Sequence, residues 1–147
     1  MEYTLADHHA TMNQITEDRY LESLHYTHDY VSRKIAEHFN LDVEDLKKKT
    51  RKRPIPECNF LIYFCCAIPS KVRAERREFH WTLLTMAAHF EKNHATILHG
   101  MKAIQNWMQV DHARRAQYQT LFAEMYADGY RYPLTRFNEI CEVYKLY

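Results

Sequence analysis

The sequence predicts an all-α protein, and three observations support that prediction. Its 147 residues contain only two glycines and four prolines, whereas turn-rich β folds need more of both. Residues that favour helices, such as Leu, Ala, Met, Glu and Lys, are abundant. Apolar side chains recur every three to four residues over several long segments. We therefore expect one helical bundle of about a single domain's length, with additional helices at both ends.

The first clearly periodic helix is expected to begin near Thr16, which can serve as its N-cap, and to end near Asn40. Its apolar stripe comprises Leu21, Leu24, Val31, Ile35 and Phe39. A brief helical turn is expected next, in the segment DVEDLKKK.

The most apolar run of the chain, FLIYFCCA, predicts the buried central helix of the bundle. We expect this core helix to extend from Cys58 to Ile68, because Pro54 and Pro56 interrupt any earlier helix and Pro69 stops it. The four cysteines include no C-x-x-C pair. Buried, reduced thiols are therefore expected rather than disulfides or a zinc site.

Two further helices are expected on either side of a short turn. Thr82 can cap the first, and Asn93 can cap the second. The inward face of the first helix comprises Leu83, Met86, Ala87 and Phe90, and that of the second comprises Ile97, Met101, Ile104 and Met108. The opposite face of the second helix has no large apolar side chain and comprises Ala95, His99, Lys102 and Asn106, with Thr96 on its flank. This arrangement predicts a helix-turn-helix.

Residues 111–147 are rich in aromatic side chains and predict two more helices. The first is expected to run through Tyr126, followed by a turn at Asp128 and Gly129, and the second to begin at Leu134. These helices either pack on the core and enlarge it or form a contact surface for a second copy or another protein. The expected organisation is an acidic extension over residues 1–29, a helix-turn-helix domain over residues 30–110 and an aromatic helical extension over residues 111–147.

The formal net charge of +1 conceals a strong segregation of charge. Residues 1–46 hold ten acidic and three basic residues, whereas residues 47–77 hold ten basic and two acidic residues. Six cations lie in the seven positions of KKKTRKR, from Lys47 to Arg53. Such a run is either a solvated surface or a site for a polyanion such as DNA.

The segments IAEHFNLDVEDLKKKTRKR and LLTMAAHFEKNHATILHGMKAI together resemble the C-terminal DNA-binding domain of the bacterial chromosomal replication initiator DnaA. Both follow that domain's order: a helix ending in an aromatic residue, an Asp-Leu turn, a basic loop, a core helix and a helix-turn-helix. The second helix of that motif begins in the family with Asp-His-Thr-Thr. The resemblance covers about residues 30–108, and it indicates the binding module without the initiator's motor.

The resemblance implies that the chain binds a short double-stranded DNA box in two grooves. The family's minor-groove arginine corresponds to Arg51, with Arg53 as the close alternative, in the loop that also contains Lys49. The family's major-groove motif falls on Asn93, His94, Ala95 and Thr96, and Lys92 stands where the family has a basic residue that contacts phosphate. His99 and Lys102 continue the same face of the helix.

This sequence departs from the family pattern at several contact positions. Asn93 replaces an aspartate with an amide, which both donates and accepts, and Ala95 lacks the hydroxyl of threonine. We therefore expect a box related to the family's but altered where these two residues point. Glu91 replaces a turn glycine. Asn59 and Phe60 replace an arginine and a glutamine of the core helix, and the cations that could compensate are Lys71, Arg73, Arg76 and Arg77.

Other functional classes find little support in the sequence. There is no G-x-x-x-x-G-K-[ST] segment, so ATP binding of the initiator's kind is not expected. The ten histidines form no H-E-x-x-H motif, and no nucleophile triad is evident, so we expect no enzyme, metal or cofactor. No long apolar segment or hydrophobic signal core occurs, which predicts a soluble, cytoplasmic protein that has no membrane partner.

Two functional hypotheses remain open at this point. The first is a sequence-specific double-stranded DNA-binding protein of replication or transcription, encoded by a phage or another mobile element. The second is an interaction protein that retains the fold and holds another protein, a host factor or its own copy, through the former DNA face or the aromatic tail. Salt dependence separates them, because only DNA binding releases many counterions.

Overall fold

A computed structural model describes residues 26–66 and 83–146, which contain helices and no strand. The all-α prediction is confirmed. In chain order the described helices are α1 (residues 26–38), α2 (Val43–Leu46), α3 (Ile55–Cys66), α4 (Leu83–Phe90), α5 (His94–Val110), α6 (His112–Ala127) and α7 (Tyr132–Tyr144). α3 and α5 form the centre, because each packs on the other and on α7. None of these helices is both long and apolar enough to cross a membrane.

Several expectations from the sequence fall on residues outside the described ranges. They concern the helix start at Thr16, the stop at Pro69, the cap at Thr82 and the second group of cations, Lys71, Arg73, Arg76 and Arg77. The acidic extension of residues 1–29 also lies almost entirely outside them.

α1 and α2 lead the chain into the basic loop. Val31 and Ile35 of α1 are fully buried, and the chain leaves the helix where the sequence predicted, at Asn40. Asn40 adopts a left-handed backbone with φ 56°, a conformation that asparagine tolerates better than most residues. The Leu41 N–H then donates to the Ala36 carbonyl at 2.8 Å, which satisfies one of the last carbonyls of α1.

α3 begins three residues earlier than the sequence predicted. The expected start at Cys58 was wrong, because Pro56 was read as a helix breaker, whereas it lies in the first turn, where the missing N–H costs nothing. The side chains from Leu61 to Cys66 are all buried. Burial raises the pKa of the Cys58 thiol to about 12, so this free thiol stays protonated and packs as a small apolar group.

α4 and α5 are joined by three residues, Glu91 to Asn93, as the sequence predicted. Glu91 has a φ of 54°, so it occupies the left-handed region, which glycine adopts more easily than other residues. The Lys92 N–H donates to the Ala87 carbonyl at 3.0 Å, which closes the end of α4. The expected inward stripe of α5 is confirmed, since all four side chains are buried: Ile97, Met101, Ile104 and Met108.

α6 and α7 pack on the core helix through aromatic side chains. The ring of Phe122 stacks on Phe64 with centroids 5.6 Å apart, and the Arg136 guanidinium lies 4.5 Å from the ring centroid of Phe64. The expected turn is present at Asp128 and Gly129, where Gly129 has a φ of 103°. α7 begins at Tyr132 rather than at Leu134, because proline again occupies a first helical turn.

The central contact of the fold is the crossing of α3 and α5 at Gly100. A Cβ atom at this position would lie 2.7 Å from Cδ1 of Phe60 and 2.8 Å from Cδ2 of Tyr63. Both distances are below any normal carbon contact, so only glycine permits the two helices to approach this closely. The small residue in α5 therefore sets the separation of α3 from α5.

Replacing Gly100 by alanine should destabilise the protein. Overpacking a core contact costs about 1–3 kcal/mol, and the better helix propensity of alanine returns about 1 kcal/mol. We expect a net loss of up to about 2 kcal/mol in the free energy of unfolding, measured by denaturant titration. Asn106→Ala, on the exposed face of the same helix, should leave that free energy unchanged or slightly higher. A Gly100→Ala protein that is more stable than the wild type would contradict the packing argument.

Candidate nucleic-acid interface

The basic loop begins with two lysines, each of which forms an ion pair with a nearby carboxylate. Lys47 Nζ lies 3.0 Å from Glu44 Oε1, and Lys48 Nζ lies 2.8 Å from Asp45 Oδ1. The ammonium of Lys48 lowers the pKa of Asp45, and the Asp42 backbone N–H adds to that effect. These two cations are therefore partly compensated by the helix that precedes the loop.

The remaining four cations of the loop present their charge to solvent. Lys49, Arg51, Lys52 and Arg53 are all exposed. None of them forms an ion pair with another side chain of the described ranges. The Lys52 backbone N–H donates to Thr50 Oγ1 at 3.1 Å, which gives the loop a local turn. The loop is thus an exposed, positively charged segment that immediately precedes the N-terminus of α3.

The N-terminus of α5 is fixed by its cap. Asn93 has an extended backbone with φ −77° and ψ 154°, and its Oδ1 accepts a hydrogen bond from the Thr96 backbone N–H at 3.0 Å. The predicted N-cap is confirmed. Because Oδ1 is directed towards the Thr96 N–H in this way, the amide NH2 is the donor group that Asn93 can present outwards.

The side of α5 that was expected to face DNA is exposed to solvent. Every side chain on it is exposed: His94, Ala95, Thr96, His99, Lys102 and Asn106. This side lies opposite the buried stripe that begins at Ile97. Lys92 in the preceding turn is exposed as well. Six consecutive exposed positions, from Glu91 to Thr96, therefore bring small and polar groups to the tip of the helix.

Phe60 has a structural role that the sequence did not indicate. Its ring contacts His99 edge to face, with centroids 5.7 Å apart, and lies 6.2 Å from the Trp107 ring. The Phe60 side chain thus packs along α5. It also supports the ring of His99 at the border of the exposed face.

The loop and the tip of α5 lie on opposite sides of the helix crossing. Glu57, at the start of α3, contacts Arg114, which follows the C-terminus of α5, whereas Tyr63 lies against Phe90, near the N-terminus of α5. α3 therefore runs roughly opposite to α5. With a rise of about 1.5 Å per residue from Gly100 in each helix, the first turns of α3 and α5 are separated along the helix axes by roughly 15–20 Å.

A polar cluster that the sequence did not predict joins the start of α3, next to the basic loop, to α6. Arg114 Nη2 lies 3.2 Å from Glu57 Oε1, and Tyr118 donates its hydroxyl hydrogen to Glu57 Oε2 at 2.6 Å. Burial and the neighbouring Glu57 carboxylate raise the pKa of Tyr118, so this hydroxyl stays a donor. The two partners of Glu57 are 57 and 61 residues away along the chain, and no local pattern could have revealed them.

One of the histidines considered as possible metal ligands pairs instead with another histidine. His28 Nδ1 lies 2.9 Å from His89 Nε2, which ties α1 to α4, and both rings contact Phe90. Among residues 26–66 and 83–146, no group of three or more His, Cys, Asp or Glu side chains is placed to hold a metal ion.

The described structure is an all-α bundle with an exposed cationic loop and an open helix face, and sequence comparison supports a DnaA-like region in it. The chain is 29% identical over 84 residues to the chromosomal replication initiator protein DnaA of Flavobacterium psychrophilum. The aligned segment covers 56% of this chain and 16% of that protein. No family model and no solved structure matches the chain.

Proposed function

We propose that this chain is a sequence-specific double-stranded DNA-binding protein of replication or transcription control. In this proposal the basic loop, through Arg51 or Arg53, enters a minor groove. The tip of α5, from Asn93 to Thr96, lies in the adjacent major groove as the second helix of a helix-turn-helix. Lys49, Lys92 and Lys102 contact phosphates around these two elements, and His99 borders the same surface.

The proposal rests mainly on one observation. The exposed Lys and Arg side chains of the basic loop and the exposed N-terminus of α5 lie at a distance that matches the spacing of neighbouring DNA grooves. One turn of B-form DNA measures about 34–36 Å, so the centres of neighbouring grooves lie about 17 Å apart along its axis. The separation of the first turns of α3 and α5 agrees with this distance. The two helices that carry these elements pack against each other at Gly100, and the proposal requires both elements to face the same side of the duplex.

The electrostatics of the loop also favour this function. Exposed Lys and Arg side chains displace condensed counterions from phosphates, and each displaced ion contributes to affinity at moderate salt. The helix tip adds backbone N–H groups of the first turn, which favour a nearby phosphate. The similarity to a replication initiator supports DNA as the partner.

The proposal is confined to DNA binding. The similar segment is a small part of the initiator, and the 147 residues contain no P-loop. We therefore propose binding without ATP hydrolysis or other catalysis for these residues. A module of this kind can mark a site, compete with an initiator for its boxes or control a promoter, and an origin in a phage or mobile element is part of the same proposal.

The capped geometry of Asn93 sharpens the expected specificity. With Oδ1 engaged by Thr96, the amide NH2 suits a base that presents an acceptor in the major groove, such as guanine or thymine. An aspartate at this position would cap equally well and present its second oxygen, which suits the amino group of cytosine or adenine.

The Asn93→Asp variant should therefore change the preferred base while keeping stability. We expect selection from a random duplex pool to enrich a donor-bearing base where the wild type enriches an acceptor-bearing one. Both proteins should unfold at the same denaturant concentration. Asn93→Ala, which loses the cap, should lose about 1 kcal/mol of unfolding free energy. Identical base preferences for the wild type and the Asn93→Asp variant would rule out a base contact by this residue.

Arg51→Ala tests the loop. We expect an affinity for the selected duplex that is weaker by about ten- to hundredfold, and a slope of log affinity against log salt that is smaller by about one unit. Arg33→Ala removes the same charge from an exposed position of α1 and serves as the control. Fluorescence anisotropy at several salt concentrations measures both quantities. If Arg51→Ala binds as tightly as Arg33→Ala, Arg51 does not enter the groove, and Arg53 is then the arginine of the loop to test.

Protein binding is the second candidate function, and one surface favours it. Val110, Val143 and Tyr144 are large apolar side chains that remain exposed near the ends of α5 and α7, and the last two lie in the segment considered for self-association. A protein partner bound there would add to DNA binding or replace it. A wild-type chain whose duplex affinity is weak and nearly independent of salt would favour this second function.

A further inference from the structure

Two neighbouring arginines in the first turn of α6 hold the two elements of the proposed DNA surface. Arg114 binds the start of α3, just behind the basic loop, and Arg115 binds the end of α5. Both side chains are partly buried. The first turn of α6 is thus in contact with both central helices at once.

Arg114 makes an extensive set of contacts. Its Nε donates to Glu57 Oε1 at 3.2 Å, and its Nη1 donates to Asp111 Oδ2 at 3.1 Å. Its guanidinium lies 4.5 Å from the ring centroid of Trp107 in α5. The planar guanidinium of Arg114 forms charge-assisted hydrogen bonds and also stacks on a ring. These contacts therefore fix its orientation as well as its position.

Both carboxylate oxygens of Glu57 accept a hydrogen bond from α6. Tyr118, which is fully buried, occupies the second oxygen of the carboxylate, and only 12% of the Glu57 side chain is exposed. Glu57 is four residues beyond Arg53 and six beyond Arg51. The helix from which the basic loop departs is therefore attached to α6 at its first turn.

Arg115 attaches the other element. Its Nε donates to the Met108 carbonyl at 2.7 Å and its Nη2 to the Gln109 carbonyl at 3.4 Å. These carbonyls belong to the last turn of α5, where no further helical N–H is available. The C-terminus of α5 is consequently attached to the same turn of α6 as the N-terminus of α3.

The close approach at Gly100 fixes the distance between α3 and α5 at one point. Contacts farther along the two helices, such as that of Phe60 with Trp107, contribute to the angle between them. The attachments at α6 form a further point of contact, several residues from the crossing on each helix, and help to define that angle. A change in that angle moves the basic loop relative to the tip of α5.

We propose that the first turn of α6, through Arg114, sets the number of base pairs between the minor-groove and major-groove contacts. Arg114 is then a positioning residue that determines the spacing specificity of the site without touching DNA. This inference rests on the proposed function, since it concerns the separation of the same two elements. It also assigns a role in recognition to the C-terminal helices.

The test uses the full chain and duplexes that the wild type enriches from a random pool. Derivatives of these duplexes carry one base pair inserted or deleted between the two contacted segments, which shifts one groove by about 3.4 Å and rotates it by about 35°. The wild type should bind the altered duplexes at least about tenfold more weakly than the parent. Arg114→Met should weaken binding to the parent duplex and reduce this preference to about threefold or less.

Arg131→Met is the matched control, because Arg131 also stacks on an aromatic ring, Tyr126, but lies in the turn before α7. It should keep the full spacing preference. Arg114→Lys, which retains the charge and loses the planar fork, should give an intermediate preference. It replaces Arg114→Met if circular dichroism shows that the latter is unfolded.

The outcomes separate this inference from the proposed function. If the wild type enriches duplexes and the folded Arg114 variant keeps the full spacing preference, the positioning role is wrong while DNA binding stands. If the wild type enriches no duplex at all, the proposed function fails and this inference fails with it. A purely structural role of Arg114 would lower thermal stability and leave the spacing preference unchanged.

Discussion

The contact of Phe60 and Tyr63 with the bare backbone of Gly100 is the constraint on which the arrangement of this protein depends. It brings α3 and α5 closer than any side chain at position 100 would allow. The loop departs from one of these helices, and the exposed tip belongs to the other. The distance between the loop and the tip of α5 is therefore determined by the packing of the core. The chemistry of each contact is determined by exposed side chains, so substitutions can change one without the other.

Stability and recognition share several residues in this chain. Asn93 caps the first turn of α5 with its side-chain oxygen and keeps its amide hydrogens for a partner. Phe60 packs between the central helices and contacts His99 edge to face. Glu91 adopts a left-handed backbone conformation, at a conformational cost of about 1 kcal/mol. Residues that stabilise the fold therefore also shape the proposed contact surface.

The sequence predicted the elements whose pattern is local. The stripe from Ile97 to Met108 and the cap at Asn93 follow from periodicity and from capping chemistry, and both are confirmed. The start of α3 was misjudged because a proline was read without its position in the turn. The attachment of Glu57 to Arg114 could not be predicted, since pairing across 57 residues depends on how the helices pack. The contacts of Arg51 and Ala95 with DNA remain predictions.

Dimethyl sulfate footprinting tests the central claim most directly, because the reagent methylates adenine N3 in the minor groove and guanine N7 in the major groove. Two elements held about 17 Å apart on one face should protect adenine N3 and guanine N7 positions that are separated by about half a helical turn, or about five base pairs. Protection in only one groove, or in two grooves on opposite faces of the duplex, would contradict the account.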